Sequence, residues 1–346
     1  MQLFSPLSDD LFEPSTEFER QVLTFCTAWQ SGQSSFLFHT SGSTGAPKPI
    51  WVNRTAMEAS ALSTGNWLNL STNDIALACL PVQYIAGAMV LVRAMVLDLR
   101  VCLVEPSVNP LQGLDPISIQ LASFVPNQWH ALLDSKLDLS SFFQFAKGIL
   151  LGGAALSEEL KNQSLGLSFP IYETYGMTET VSHIAFKRLS DIYFTALENV
   201  RLQVDQRDCL KICGLVTDNE WIQTNDIVRF RDESSFEFLG RFDRVINSAG
   251  RKIHPERLEK IISNQVCQPK SFFIDALPNS VLGQQLCLFY TDNWSQIEQE
   301  NLQRILKNHF DSWELPKQYI QLPHFQFTSS GKIDRLKSVA LYLKSN

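Results

Sequence analysis

The 346-residue chain lacks any run of basic residues, and its formal net charge is -7. Proteins that bind the nucleic-acid backbone draw on clustered Lys and Arg, so this charge balance argues against a nucleic-acid partner. A long uncharged hydrophobic run is also missing, because the longest apolar segment, 87–104, contains Arg93, Asp98 and Arg100. We expect a buried helix followed by a strand there, and no transmembrane segment.

Paired cysteines are missing as well. The seven cysteines are scattered and mostly lie in apolar segments, where a free thiol behaves as a small hydrophobic side chain. Cys209 and Cys213 have no second cysteine pair or histidine pair near them, which argues against a zinc site. The N-terminus is acidic and has no basic residue before Arg20, which is the wrong composition for a secretory signal. We therefore expect a cytoplasmic protein without disulfide bonds.

The length of the chain favours two domains. Strand-like apolar segments alternate with helical ones over the first 150 or so residues, which predicts an α/β domain with a largely parallel sheet covered on both faces. Between 200 and 239, polar and apolar residues alternate, and this favours antiparallel strands in a small β subdomain. The remainder reads as a compact α+β unit, with Pro255 at the start of one helix. We place the domains at 1–240 and 241–346.

Residues 40–48, Thr-Ser-Gly-Ser-Thr-Gly-Ala-Pro-Lys, have the composition of a phosphate-binding loop. Gly42 and Gly45 permit turns that other residues resist, so amides and hydroxyls can converge on anionic oxygens with Lys48 as a point charge. A flexible Gly/Ser linker is the alternative, but a linker needs neither the Pro-Lys end nor a preceding strand. The spacing excludes the common nucleotide loop, in which Gly-Lys is followed by Ser or Thr.

A second segment, 172–179, reads Tyr-Glu-Thr-Tyr-Gly-Met-Thr-Glu. Its aromatic residues offer a face for a purine, Thr178 can hydrogen-bond a phosphate, and Glu179 is an oxygen ligand suited to Mg²⁺. Taken alone, an ordinary strand and turn with a stray acidic residue is the alternative. Asp226 follows a β run and can accept both hydroxyls of a ribose, although by itself it is more typical of a turn.

Three more segments complete an ordered set: Leu-Pro-Val-Gln-Tyr-Ile-Ala-Gly at 80–87, Gly-Arg-Phe-Asp-Arg at 240–244 continuing to 259, and Ser-Ser-Gly-Lys-Ile-Asp-Arg at 329–335. With these motifs the chain resembles the adenylate-forming superfamily, and within it the AMP-forming acyl-CoA synthetases. The resemblance extends from Phe38 to Arg335. It implies a large N-terminal α/β domain and a small C-terminal lid domain joined by a hinge, with ATP, Mg²⁺, CoA and a carboxylic acid as cofactor and substrates.

The resemblance also implies a role for each matching residue. The loop of Thr40, Ser41, Gly42, Ser43, Thr44, Gly45 and Lys48 would close over the β- and γ-phosphates of ATP. Gly152, Gly153, Ala154, Tyr175, Gly176 and Met177 would border the adenine, Thr178 would contact the α-phosphate, and Glu179 would bind Mg²⁺. Asp226 and Arg241 would hold the ribose, Asp243 would be the hinge, and Gly250 would face the CoA channel. Tyr84 and Gly87 would border the acyl pocket, and Lys332 would bridge the attacking carboxylate and the α-phosphate.

The chain departs from the family pattern at several positions. Tyr84 stands where His is usual, Asn225 replaces a Gly, Lys252 replaces an Arg, and Arg257 replaces the first Glu of the lid helix. Only 39 residues precede the loop. Among adenylate-forming enzymes, such brevity together with the Gly-Ser-Thr-Gly loop most resembles the short-form O-succinylbenzoate-CoA ligases of menaquinone biosynthesis.

An O-succinylbenzoate substrate would carry a second carboxylate, so a cation should face the acyl pocket. Arg93, Lys187 and His183 are the candidates, because they lie near motif segments that border this pocket in the family. For Arg93 we favour the alternative of a side chain that extends from a buried helix toward water, and for His183 that of a structural polar residue.

Two other functions fit the same motifs. A stand-alone adenylating enzyme would load an aryl or amino acid onto a carrier-protein thiol instead of CoA. A degenerate nucleotide-binding protein would have lost catalysis, although the intact Lys48, Glu179, Asp226 and Lys332 argue against decay. Neither the acceptor thiol nor the formation of a homodimer is decided by the sequence.

Overall fold

The computed structural model describes residues 1–8, 12–39, 48–265, 271–292, 294–327 and 333–345. In this part of the chain the helices are α1 (Glu17–Gln30), α2 (Arg54–Leu68), α3 (Ile85–Leu97), α4 (Pro126–Asp134), α5 (Ser140–Phe143), α6 (Glu158–Ser164), α7 (Pro255–Gln265), α8 (Gln296–His309) and α9 (Arg335–Ser345). The strands are β1 (Gln2–Phe4), β2 (Ser35–His39), β3 (Pro49–Asn53), β4 (Ile75–Ala78), β5 (Arg100–Leu103), β6 (Leu121–Phe124), β7 (Gly148–Leu151), β8 (Ile171–Gly176), β9 (His183–Arg188), β10 (Phe194–Ala196), β11 (Val200–Val204), β12 (Cys209–Gly214), β13 (Ile222–Phe230), β14 (Ser235–Arg241), β15 (Ile246–Ser248), β16 (Arg251–Ile253), β17 (Phe272–Asn279), β18 (Gly283–Tyr290) and β19 (Gln318–Gln321).

The main sheet has the strand order β1-β5-β4-β6-β7-β8-β9-β10-β14-β13-β12-β11. Strands β5, β4, β6, β7 and β8 are parallel, and the pairs from β8 to β11 are antiparallel. The predicted α/β fold with a parallel sheet is therefore confirmed. The antiparallel strands that we expected as a small β subdomain continue this same sheet, because β9 pairs directly with β8.

Both faces of the parallel strands are buried, as the sequence predicts. One hydrophobic core packs α1, α2 and α3 on the first face and includes Met57 and Leu91. A second core packs α4, α5 and α6 on the opposite face and includes Trp129. Within β4, Ala76 belongs to the first core and Leu77 to the second, since successive side chains of a strand point to opposite faces.

The C-terminal part forms a second sheet with the order β16-β15-β18-β17, and β19 pairs parallel with β18. Helix α7 starts at Pro255 as predicted and buries Leu258 and Ile262 against this sheet. Ser295 and Glu298 form the capping box at the start of α8, in which the Ser295 hydroxyl accepts a hydrogen bond from the Glu298 amide. No helix in the described residues is long and apolar enough to cross a membrane.

Candidate functional site

The predicted site residues gather where the parallel strands end. Strand β4 leads into segment 80–87, β7 leads into Gly152 and Gly153, and β8 ends at Gly176 just before Thr178. Because these strands are parallel neighbours or next neighbours, their carboxyl ends lie along one edge of the sheet. Ligands of open α/β sheets bind at this edge.

Two glycines at this edge permit close backbone packing. A Cβ atom added to Gly152 would lie 2.4 Å from Thr174 Oγ1, and one added to Gly176 would lie 2.1 Å from the carbonyl oxygen of Ser182. Gly153 has a φ of +82°, a conformation that side-chain-bearing residues rarely adopt. The packing of the protein itself thus requires glycine at these positions.

Thr178 and Glu179 stand on a short 3-10 turn, Thr178–Thr180, directly after β8. Glu179 is exposed, and no other described residue forms a hydrogen bond or ion pair with its carboxylate. The described residues contain no group of three or more His, Cys, Asp and Glu side chains that could hold a metal by themselves. This donor set fits Mg²⁺, which is commonly held by one or two carboxylates together with substrate phosphates and water.

Asp226, Arg241 and Asp243 form one hydrogen-bonded group. Asp226 and Arg241 are register partners of β13 and β14, and Arg241 Nη1 lies 3.0 Å from Asp226 Oδ1. The same guanidinium contacts Asp243 through Nε at 2.9 Å and Nη2 at 2.7 Å. The structure therefore brings together the two predicted ribose ligands and the predicted hinge residue.

Tyr175 completes this group, since its hydroxyl donates to Asp226 Oδ2 at 2.6 Å. Its ring packs edge-on against Phe236 and also contacts Phe194 and Phe238. Burial raises the pKa of Tyr175 well above its usual value, and the Asp226 charge adds to the effect, so the hydroxyl remains a donor. The structure thus gives Tyr175 a positioning role toward Asp226, while its contact with adenine stays a prediction.

The acyl-pocket stretch leads directly into α3, and Tyr84 is the N-cap residue of this helix. A Cβ atom on Gly87 would lie 2.3 Å from the carbonyl oxygen of Pro81, so only glycine allows the helix to start this close to the preceding turn. Farther along α3, Arg93 is 2% exposed and extends into the protein, which excludes the alternative of a side chain reaching out to water. Burial lowers the pKa of Arg93 to about 9, so it remains mostly charged at neutral pH.

The other two candidate cations already have roles. Lys187 forms an ion pair with Glu173 at 3.0 Å and lies over the ring of Phe194. His183 accepts or donates a hydrogen bond with Thr64 Oγ1 at 2.8 Å. Burial holds the pKa of His183 well below its usual value, and the nearby Arg93 charge lowers it further, so His183 is neutral at pH 7.

The phosphate-loop residues Thr40, Ser41, Gly42, Ser43, Thr44 and Gly45 lie outside the described residues, as does Lys332. The ends of the loop are nevertheless held in place, because His39 of β2 pairs with Pro49 of β3 in an antiparallel hairpin. Lys48 immediately precedes this pairing. A flexible Gly/Ser linker would not require such a pairing of the strands at its two ends.

Gly250 lies in the two-residue turn between β15 and β16, where Ala249 and Gly250 both have positive φ. No atom lies within 4 Å of the position that a Cβ on Gly250 would occupy, so this turn presents an open surface. Its place beside CoA stays a prediction.

Several contacts near the site involve residues that no sequence motif identifies. Glu256 of α7 lies against Gly240, where an added Cβ would approach its Oε2 to 2.7 Å. Arg335, at the start of α9, bonds Glu259 through two nitrogens at 2.7 and 3.0 Å. Ser182 contacts Arg93. Single polar residues without a motif are too common for sequence reasoning to select them.

Comparisons with known proteins agree with this geometry. Residues 6–220, more than half of the chain, match the family model described as AMP-binding enzyme. The chain is similar to an AMP-forming acyl-CoA synthetase/AMP-acid ligase II-like protein of Dyadobacter fermentans, with 35% identity, 96% of both chains covered and a TM-score of 0.65. It is also similar to the 2-succinylbenzoate-CoA ligase of Staphylococcus epidermidis, with 29% identity over 88% of this chain and 69% of that protein. The o-succinylbenzoate CoA synthetase of Bacillus subtilis, solved with the acyl-adenylate OSB-AMP, shares the fold, with a TM-score of 0.74 at 21% identity over 87% of this chain and 68% of that one.

Proposed function

Because the chain belongs to the AMP-binding enzyme family, we propose that it is an ATP-dependent, AMP-forming acid-CoA ligase. In the first step the substrate carboxylate attacks the α-phosphorus of ATP, and pyrophosphate leaves. In the second step the thiol of CoA attacks the acyl carbon of the resulting acyl-adenylate, and AMP leaves. The observation that carries the proposal is the Asp226, Arg241 and Tyr175 group beside the open edge that bears Glu179.

The group is built to hold a ribose. A carboxylate accepts about four hydrogen bonds, and Tyr175 and Arg241 occupy one position on each oxygen of Asp226. The remaining positions can accept the two ribose hydroxyls. Hydrogen bonds that a carboxylate accepts are of the stronger, charge-assisted kind.

The phosphate chain then extends toward Thr178 and Glu179, which follow β8 on the same edge. Glu179 would hold Mg²⁺, which neutralises charge on the phosphate oxygens when bound. The Thr178 hydroxyl would donate to the α-phosphate. Lys48 and the loop that precedes it would cover the outer phosphates, and Lys332 would stabilise the charge that develops between the attacking carboxylate and the α-phosphate.

The acid is O-succinylbenzoate, which the enzyme converts to O-succinylbenzoyl-CoA in menaquinone biosynthesis. This assignment is supported by the names of the relatives in Staphylococcus epidermidis and Listeria monocytogenes, both 2-succinylbenzoate-CoA ligases. A cytoplasmic location is supported by six cysteines among the described residues, all buried and free.

The domain boundary lies at 240/241, with Asp243 as the hinge. Strand β14 ends the main sheet at Arg241, and β15 begins the second sheet at Ile246, so the segment between them is the short link that a moving lid requires.

The proposal is tested by measuring pyrophosphate release with ATP, Mg²⁺ and a panel of carboxylic acids, followed by thioester formation with CoA. O-succinylbenzoate should give the highest kcat/KM. Lys332→Ala should slow pyrophosphate release but leave CoA attack on supplied acyl-adenylate largely intact. Lys337→Ala, which removes an exposed lysine paired with Asp334, is the matched control and should change neither step. Acyl transfer to a carrier-protein thiol in place of CoA would contradict the assigned acceptor.

A further inference from the structure

The segment 177–182 connects β8 to β9 and carries Thr178, which is half-buried, and Glu179, which is exposed. No other described residue forms a hydrogen bond or an ion pair with the side-chain oxygens of these two residues. Side chains without such support keep one geometry toward a ligand only if the backbone beneath them is fixed. The positions of both residues therefore depend on what holds this segment in shape.

The hydroxyl of Thr180 closes the segment. Thr180 is fully buried, and its Oγ1 accepts a hydrogen bond from the Met177 amide at 3.1 Å. The same hydroxyl donates to the Ser182 carbonyl oxygen at 2.9 Å, the nearer of its two backbone acceptors. One side chain thus ties the first residue of the segment to the last.

The end of the segment adopts a conformation that is rarely seen. Val181 has φ +65° and ψ -61°, and the Ser182 amide donates to the Thr180 carbonyl oxygen at 2.7 Å, which defines a γ-turn of the strained form. A β-branched residue keeps such a conformation only where its surroundings enforce it. Here Val181 is buried in the first hydrophobic core, and Thr180 holds Ser182 through both its carbonyl and its hydroxyl oxygen.

The segment also packs tightly against the strand that leads into it. A Cβ atom on Gly176 would lie 2.1 Å from the Ser182 carbonyl oxygen, the atom that the Thr180 hydroxyl binds. Without this hydroxyl, the Met177 amide and the Ser182 carbonyl oxygen would each lose one hydrogen bond. Such a loss is unfavourable, so the backbone would adjust, and the side chains between the two ends would move with it.

We infer that Thr180 is a positioning residue of the adenylation step. Its hydroxyl fixes the turn from which Thr178 and Glu179 reach the α-phosphate and Mg²⁺, and it contacts neither itself. This inference rests on the proposed function and deepens it, because it assigns the geometry of the two ligand-binding residues to a buried neighbour.

The test measures the two half-reactions separately in Thr180→Val, which keeps the shape of the side chain and removes the hydroxyl. Pyrophosphate release should slow by about 30-fold, because a displacement of about 1 Å at the reacting groups can cost about 100-fold in rate. Attack of CoA on supplied acyl-adenylate should stay within about threefold of wild type, since this half-reaction involves neither ATP nor pyrophosphate. Thr180→Ser keeps the hydroxyl and should restore pyrophosphate release to within about fivefold of wild type.

Thr217→Val is the matched control. Thr217 ends a second short 3-10 turn, Leu215–Thr217, and is also buried. Its hydroxyl accepts from the Gly214 amide at 3.1 Å and donates to the Glu220 carbonyl oxygen at 2.7 Å. This turn lies beside the turn of Thr180 but carries no predicted site residue. Thr217→Val should therefore lower the melting temperature by a similar amount and leave pyrophosphate release within about threefold of wild type.

A second comparison examines whether Thr180 acts through Glu179. Losses from residues that act together do not multiply, so Thr180→Val should slow pyrophosphate release by at most about fivefold in a Glu179→Gln background. If Thr180→Val does not fold, Thr180→Cys, whose thiol is a weak donor and acceptor, supplies the same comparisons with smaller losses.

Three results would overturn the inference while leaving the ligase proposal intact. They are an equal slowing of both half-reactions in Thr180→Val, the same selective slowing in Thr217→Val, and full multiplication of the losses from Thr180→Val and Glu179→Gln. Absence of pyrophosphate release by the wild-type enzyme with every acid of the panel would overturn the ligase proposal itself.

Discussion

Replacing Asp226 by Asn should weaken the discrimination of the enzyme between ATP and 2′,3′-dideoxy-ATP. Asn keeps the size of the side chain but loses its charge, and it replaces one acceptor oxygen by an amide nitrogen that donates. In the structure Asp226 is 6% exposed and already accepts bonds from Tyr175 and Arg241, which leaves one acceptor position on each oxygen. These two positions are the ones that the proposed function assigns to the ribose hydroxyls.

The magnitude follows from the bond types. Hydrogen bonds to a charged group contribute about 1.5–3 kcal/mol and those between neutral groups about 0.5–1.5 kcal/mol, so the substitution weakens each ribose contact by about 1 kcal/mol. Two contacts give about 2 kcal/mol, which corresponds to about a 30-fold change in affinity. The wild-type preference for ATP over the dideoxy nucleotide should therefore fall by about 30-fold in Asp226→Asn.

The assay is acid-dependent exchange of labelled pyrophosphate into ATP or its dideoxy analogue, with kcat/KM determined for both. Rearrangement of Tyr175 or Arg241 in the variant affects both nucleotides equally and cancels in the ratio. Tyr175→Phe, which leaves the Asp226 charge in place, is the control and should keep most of the preference. An Asp226→Asn variant whose activity falls equally on the two nucleotides would refute the ribose assignment.

Two further predictions concern packing and pH. Gly176→Ala should lower the melting temperature and abolish adenylation, because the added Cβ would lie 2.1 Å from the Ser182 carbonyl oxygen. Gly166→Ala is the control and should leave both unchanged, because no atom lies within 4 Å of its added Cβ. A Gly176→Ala variant with unchanged melting temperature and activity would contradict the packing. Burial raises the pKa of Glu256, so its contribution to stability is full below pH 4.5 and is lost as pH rises through the folded-state pKa. Glu256→Gln should therefore melt at a higher temperature than wild type at pH 8, with little difference at pH 4, even though Arg244 lies 3.6 Å from Glu256. A difference in melting temperature that does not vary with pH in fluorimetric melting curves would contradict this.

The fold could be predicted where local pattern and tertiary environment agree. The helix that begins at Pro255 has its proline at a favourable position and a regular apolar stripe, and the structure confirms both. The union of the parallel and antiparallel strands in one sheet could not be predicted, because it depends on the pairing of β9 with β8. Three-residue strands such as Phe194–Ala196 are also too short to show an alternation.

The candidate site likewise contains contacts that the sequence can predict and contacts that it cannot. Asp226 and Arg241 stand on neighbouring antiparallel strands, so a correct strand assignment already brings them near each other. The Tyr175 contact with Asp226 joins residues on β8 and β13, which are separated by three strands of the sheet, and no local pattern encodes it. The partners of Arg93 lie about ninety positions later in the chain, and Ser182 belongs to no motif.

One guanidinium, that of Arg241, binds both Asp226, the proposed ribose ligand, and Asp243, in the segment that links the two sheets. A rotation at Asp243 that withdraws its carboxylate therefore changes the charge balance around Asp226. Coupling between two equilibria is reciprocal. If bound nucleotide stabilises one orientation of the link, that orientation therefore raises the affinity for nucleotide by the same free energy. Under the proposed function, AMP release and movement of the C-terminal part would therefore be coupled through Arg241.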